Sequence, residues 1–550
     1  MEARTKELKE NGDKLFDKRH SLLSLWQEQA DNFYPERADF TTTRNLGTDF
    51  ASHLTTSYPV LARRTLGDAF SGMLRPKETA WFKLSTSRED LLDNSARAWL
   101  EWAGALQKNA MYDRNSLFIR ATKEADHDFA TFGQCAISVE FDAERQQLLY
   151  RCWHLRDVAW CEDYAGKINE VHRRWKPTAR SLNIIFKGNI SSSLQDKLEK
   201  DPYCEVDVRH VVVASENYNI AKGKKTSAPY VSVYFECDTG HVLEETPSYT
   251  LKYVIPRWQT VSGSQYAYSP ATVAALPDAR LIQAMTLVLL EAGQKSVDPP
   301  MVAVQEAIRS DVGLYSGGIT WVDADYDERL GEVLRPISLD TRGIPLGIDL
   351  REDVKQMIAD AFYISKITLP PVGGKEMTAY EVGQRVQQYI RDALPLFEPM
   401  ELDYNGALCD ITFETIMGVG GFGNMSEDLP QSLRGQEIKF KFESPLHEAI
   451  EKQKGQAFLE SKGLLEAAFP LDKGVLGEIN IRRAFRDTLN GIGTPASWLA
   501  TDEERQAFNE KMEGEQKAQE MLALMQQGGA AAEQIGKAGQ AMNEMNRGAA

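Results

Sequence analysis

Two stretches of helical pattern constrain this chain more than any other feature. One starts near Pro277-Asp278 and runs to about Lys295, and the other spans roughly Asp349 to Lys366. In the second, Leu350, Val354, Met357, Ile358 and Ala361 form one apolar stripe. Each helix would be ~27 Å long at the α-helical rise per residue. Matched lengths separated by about fifty residues predict an antiparallel pair holding up a small separate lobe. That lobe, residues 298–345, reads as helix, turn and short strands, with a tight turn at Gly317-Gly318. The most apolar run, Leu281 to Leu290, falls short of the ~20 residues a membrane span needs. It is therefore expected to be a helix buried on most sides by protein, with no membrane partner.

The chain before the pair reads as a mixed α+β body. Leu8, Leu15, Leu22, Trp26 and Phe33 predict an amphipathic helix at the start, charged rather than signal-like. A second helix follows Pro59 and stops at Gly72-Met73-Leu74-Arg75-Pro76. Phe118, Ala121, Ala125, Phe129 and Phe132 predict another, closed by Gly133. Cys135, Ile137, Val139 and Phe141 alternate as a strand, with 146–153 pairing back on it and more strands in 205–255. After the pair come further helices to Gly418, a strand over 437–442 and helices from Pro445. The tail from Gln526 is rich in Gly, Ala, Gln and Asn.

Charge narrows the function. With 63 Lys and Arg against 80 Asp and Glu the net charge is −17, which disfavours a broad basic grip on nucleic acid. It does not disfavour a duct through which nucleic acid slides. Six scattered cysteines without a CxxC pair fit reduced thiols, not a disulfide framework or zinc site.

The chemical motifs fail when tested. Gly373-Gly374-Lys375 lacks the spacing of a P-loop, and Glu376 stands where a hydroxyl should bind magnesium. Pro370-Pro371 ends the helix before it, the glycines free the backbone, and Thr378 with Glu381 restarts a helix as a capping box. The result is a hinged loop with one cation at its tip. Asp323, Asp325 and Asp327 resemble the start of a calcium loop, but Glu328 and Leu334 occupy the turn and bidentate-ligand positions. They read as an acidic edge, solvated or docking a basic partner. Asp126-His127-Asp128 offers acid–base or metal-ligand chemistry, yet neighbours on a helix do not share a face. Arg173-Arg174 beside Trp175 reads as base stacking or, more simply, a structural ion-pair site. No catalytic residue, metal site or cofactor is expected.

Several stretches together resemble the portal, or head-to-tail connector, proteins of short-tailed phages. They include GMLRPKETAWFKL (72–84), DFATFGQCAISVEFD (128–142) and the long run from IPRWQTVSG (255–263) to DPPMVA (298–303). MTAYEVGQRV (377–386), FESPLHEAIEKQKGQAFLESKGLL (442–465) and LNGIGTPASWLATDEE (489–504) continue in the family's order. The resemblance implies an α+β, mainly α-helical portal fold, with about twelve subunits in a ring around a tunnel at one capsid vertex. It divides the chain into a wing (1–276), a first stem helix (277–297), a clip (298–345), a second stem helix (346–366) and a tunnel loop (367–378). Wing helices (379–430), a crown (431–525) and the tail (526–550) follow.

On that reading Gly373, Gly374 and Lys375 face viral double-stranded DNA without reading its sequence, and Lys366 adds a second belt. Trp321, Asp323, Asp325, Asp327 and Glu328 form the clip edge that meets the terminase large subunit and later the tail adaptor or nozzle. Capsid, scaffolding and internal core proteins complete the implied partners, with the host cytoplasm as the place of assembly and the virion as the destination. A DNA-acting NTPase and a cytosolic scaffold without DNA stand as rivals.

Overall fold

A computed structural model of the chain describes residues 3–219, 228–303, 334–336, 343–367, 400–423, 429–442, 458–466 and 507–512, short gaps aside, with scattered positions elsewhere. The chain divides into two compact units. The larger holds residues 1–82, 105–423 and 440–449, and the smaller 83–104, 424–439 and 450–550. Helix and sheet are mixed, as the α+β reading requires.

The larger unit opens with two helices, α1 (Ala3–Asp17) and α2 (His20–Phe33), where the apolar spacing predicts one. Arg19 causes the break. Its buried guanidinium turns away to donate to the carbonyls of Leu155, Val158 and Arg156, the first two at 2.7 and 2.6 Å. Helix α3 (Tyr58–Leu74) and, after strand β1 (Phe82–Thr86) and helix α4 (Asn94–Met111), which fall largely in the smaller unit, helix α5 (Phe118–Phe132) follow.

The predicted stripe of α5 is wholly buried, and Gly133 ends the helix at φ +74, its N–H on Phe129 O at 2.9 Å. A Cβ there would also lie 2.3 Å from the carbonyl carbon of Tyr268, so only glycine fits. Strand β2 (Ile137–Asp142) pairs antiparallel with β3 (Gln147–Cys152), the two segments expected to pair.

Strands β4 (Val158–Glu162), β5 (Ile168–Trp175), β6 (Val208–Ala214), β7 (Tyr230–Glu236) and β8 (Val242–Ser248) form an antiparallel sheet in chain order. Helices α6 (Ala179–Ile185) and α7 (Ser192–Lys200) sit between β5 and β6, and α8 (Ser215–Asn219) follows β6. A short β9 (Tyr253–Val254) joins β2. Trp26, Phe40, Phe132, Trp160 and Tyr266 knit α2, α5 and β4 into the main core. In the smaller unit Asp93 caps α4 by accepting from Ala96 N at 2.9 Å, and Ser432 Oγ donates to the same carboxylate at 2.8 Å.

Asp126, His127 and Asp128 point three ways from α5, and each meets its own arginine. Arg75, just past α3, reaches Asp126; Arg63 donates to His127 Nδ1 at 2.9 Å; Arg37 grips Asp128 with two bonds of 3.0 and 2.7 Å. The triplet is a structural hub. Of the pair read as a structural ion-pair site, Arg174 meets Asp13 at 3.9 Å, whereas Arg173 donates to Tyr253 Oη at 2.8 Å and stacks 3.7 Å from the Trp153 ring.

Burial, and then the Arg63 charge, lower the His127 pKa to about 4, so the folded chain holds this imidazole neutral. An unfolded histidine titrates near 6.5. The stability this supplies is therefore complete above that pH and is lost as pH falls from there to about 4, amounting to roughly 3 kcal/mol. Urea midpoints at pH 7 and pH 4.5 check it: His127→Gln is expected to be flatter across that window than wild type.

Candidate assembly surface

Helix α9 (Pro270–Val297) begins seven residues before the predicted start near Pro277, counting 277 − 270. Ser269 caps it by accepting from Thr272 N, and Pro270 occupies the first turn, a stronger start than Pro277 offers. Pro277 instead sits on the exposed side of the helix, where water can solvate the carbonyl it leaves unbonded. Helix α10 (Gly343–Ala361) likewise begins and ends earlier than expected. Tyr363, at φ +57, breaks the chain before the turn of helix α11 (Ile364–Ile367), while Phe362 is locked against Phe33 at a ring distance of 5.4 Å.

The two long helices pack together. Strands 301–303 and 334–336 pair antiparallel just beyond the end of α9 and before the start of α10. A Cβ on Gly347, early in α10, would come within 2.8 Å of Leu289 Cδ2, late in α9. The pair is thus antiparallel and in close contact at that end. Ala275, Ala279, Ile282 and Thr286 of α9 are buried, as are Val354 and Ile358 of α10.

The rest of each helix departs from expectation. Helix α9 is not buried on most sides: Val273, Pro277, Leu281, Ala284 and Val288 are all exposed, Leu281 at 46% and Val288 at 64%. At about 100° per residue these five fall in one arc of roughly 80°, a second apolar stripe turned away from the body. On α10, Leu350 and Met357 were expected in the buried stripe, yet they join Leu346 on an exposed one. Beside it run Asp349, Glu352, Asp353 and Asp360, all exposed. The apolar segment also proves longer than the run from Leu281 to Leu290. Because small and apolar residues extend the pattern back to Pro270, α9 is long and apolar enough to cross a membrane by length and composition.

Of the DNA-facing residues read from sequence, Lys366 is exposed on α11, its Nζ 5.6 Å from the Tyr363 ring centroid. Gly373, Gly374 and Lys375 lie outside the described residues, as do Trp321, Asp323, Asp325, Asp327 and Glu328 at the lobe's edge. Among the described residues no three His, Cys, Asp or Glu side chains gather as a metal site. The outward stripes are what sequence reading missed. Their signal was present: the run from Leu281 to Leu290 is apolar on more faces than one neighbour can cover.

The helix pair seated on an α+β body thus leaves apolar stripes exposed among the described residues. Residues 5–499 match the family model described as bacteriophage head to tail connecting protein, and the chain belongs to that family. It is 24% identical to a probable portal protein of Bordetella phage BPP-1 over 94% of this chain and 93% of that one. It is 21% identical to the portal protein of Salmonella phage epsilon15 over 93% and 92% respectively. Among solved structures it is similar to a chain of a native gene transfer agent virion, at 11% identity and a TM-score of 0.33, over 74% of this chain and 86% of that chain.

Proposed function

We propose that about twelve copies close into a ring at one capsid vertex and that viral DNA passes through its bore. The observation that carries this reading is the pair of unlike apolar stripes on α9 and α10. One surface meeting a different one on the next copy is a heterologous contact, which generates a ring when the rotation closes and a filament when it does not, and the connector family points to closure. A bilayer is the other possible cover for α9. The carboxylates of Asp349, Glu352, Asp353 and Asp360, exposed on the adjoining helix, weigh against it, since ionised groups in lipid cost several kcal/mol.

In the ring the α9–α10 pair is the stem, residues 298–345 the clip, 367–378 the tunnel loop and 431–525 the crown. The acidic face of α10 turned to the bore would keep phosphates from sticking. Belts of Lys375, and of Lys366 below the loop, supply weak, sequence-independent contacts. Trp321, Asp323, Asp325, Asp327 and Glu328 dock the terminase and then the tail adaptor, and the chain itself performs no chemistry. Assembly takes place in the host cytoplasm.

Negative-stain images of purified protein test the ring. Annuli of about twelve subunits with a central hole are expected, and monomers or filaments at every concentration would overturn the reading. Lys375→Glu is expected to leave rings intact and cut DNA-filled particles at least tenfold, scored by nuclease-protected DNA. Normal filling by that variant removes the loop's contact role but not the ring.

A further inference from the structure

Between α2 and α3 the chain runs over the body from Thr41 to Ser57 without burying one described side chain, and Tyr58 opens α3 half-buried. The contacts that hold it are polar. Arg44 donates to Asp31 Oδ1 at 2.9 Å and to Pro35 O at 3.1 Å, and His53 Nε2 meets Asp31 O at 2.9 Å. The tightest hold comes from Gln283, on α9 and 228 residues away from Thr55 in sequence. Its Oε1 accepts from Thr55 N at 2.7 Å, from Thr55 Oγ1 at 2.7 Å and from Thr56 N at 3.0 Å. Its Nε2 donates to Thr56 O at 3.0 Å. One side-chain amide thus satisfies the N–H and C=O of Thr56 together, as a neighbouring strand would.

Two residues further on, the same segment reaches the other helix of the pair. Tyr58 places its ring 5.8 Å from Lys355 Nζ of α10. Partial burial, and then the carboxylates of Glu352 and Asp360, raise its hydroxyl pKa. Residues 55–58 therefore straddle α9 and α10. A segment that crosses two helices by polar contacts, with no buried apolar anchor before Pro59, opens far more cheaply than the helices themselves. Water can replace each of its bonds, and little apolar surface is exposed.

We propose that residues 51–58 are a detachable strap, caught by Gln283, that fixes where the α9–α10 pair sits on the body. The consequence rests on the ring reading: the pair carries the stripes between neighbours, so its seat governs how each copy lines the bore. With the strap shut, the pair is held at one position. With it open, the pair shifts against the body while both helices stay folded.

Hydrogen exchange on the full chain tests the strap. In wild type the amides of residues 51–57 are expected to exchange by local opening, well before those of 275–290. Gln283→Leu, which keeps the side chain's bulk and loses its bonds, is expected to speed exchange of 51–57 at least tenfold and leave 275–290 protected. Unchanged exchange of 51–57 in the variant, or loss of protection only together with α9, would overturn the proposal. Gln283→Glu keeps the acceptor and loses the donor, so an intermediate rate is expected.

The regulatory part is read in particles. Gln283→Leu rings are expected to form yet to fill with DNA at least tenfold less often, and wild-type filling would sink that role. A wild-type chain that never forms rings would instead remove the ring reading, while the exchange result stood on its own.

Discussion

Leu281→Asp with Val288→Asp is expected to give a folded chain that no longer forms rings. Both side chains are exposed in the single subunit, so the substitutions take little from its own stability, within about 0.5 kcal/mol each. The circular dichroism spectrum and melting curve should match wild type. At an interface the same carboxylates would be desolvated without a partner, at a cost of roughly 2–5 kcal/mol per group after relaxation. A ring repeats that cost at every junction, so closure is lost rather than weakened. Sedimentation velocity at micromolar protein separates the outcomes: one slow species for the variant, a fast ring for wild type. Gln294→Asp, on the same helix but outside the stripe, serves as the control and should assemble. Rings of normal size from the double variant would mean that the outward stripe of α9 faces something other than a second copy.

Sequence made the helix pair legible because a 3.6-residue period survives even where half of the helix surface is apolar. What it hid was the number of neighbours. Val354 and Val288 are the same residue type at similar helical positions, and only the fold shows that one is buried and the other exposed. Boundaries slipped for local reasons: the cap at Ser269 outranks Pro277, and Arg19 breaks a helix that its neighbours' periodicity would continue.

Three of the stretches that carried the family resemblance supply packing residues, and most of the other three lies outside the described residues. Arg75 of GMLRPKETAWFKL pairs with Asp126, and Asp128 of DFATFGQCAISVEFD with Arg37. Trp258 of IPRWQTVSG stacks on Phe129 at 5.4 Å, 11° from parallel. The resemblance was read from stretches spread along the chain, and those that are described belong to the body and the first long helix. The residues proposed to touch DNA and the terminase are legible only through it, because a lysine in a glycine loop or an aspartate on an edge has no pattern of its own.

Asp126→Ala is expected to be among the most damaging single changes to the fold, costing about 3–5 kcal/mol. Asp126 and Arg75 are both buried, and the guanidinium also donates to Asn405 Oδ1 at 2.8 Å and lies over the Tyr404 ring at 4.6 Å. Three segments distant in sequence, the end of α3, the middle of α5 and the π-helical turn Glu401–Gly406, thus meet at one charge pair. Burial raises the pKa of the Asp126 carboxyl, and the adjacent Arg75 works against that shift; the carboxylate in turn holds Arg75 charged. Taking away the acid strands a guanidinium in the core with no anion, which is worse than removing both members. Arg75→Met combined with Asp126→Leu should therefore be clearly more stable than Asp126→Ala alone. Urea denaturation of wild type, both single variants and the apolar pair closes the cycle. A loss below about 1 kcal/mol for Asp126→Ala would mean that water reaches Arg75, and that the hub drawn from α5 does not hold the body together.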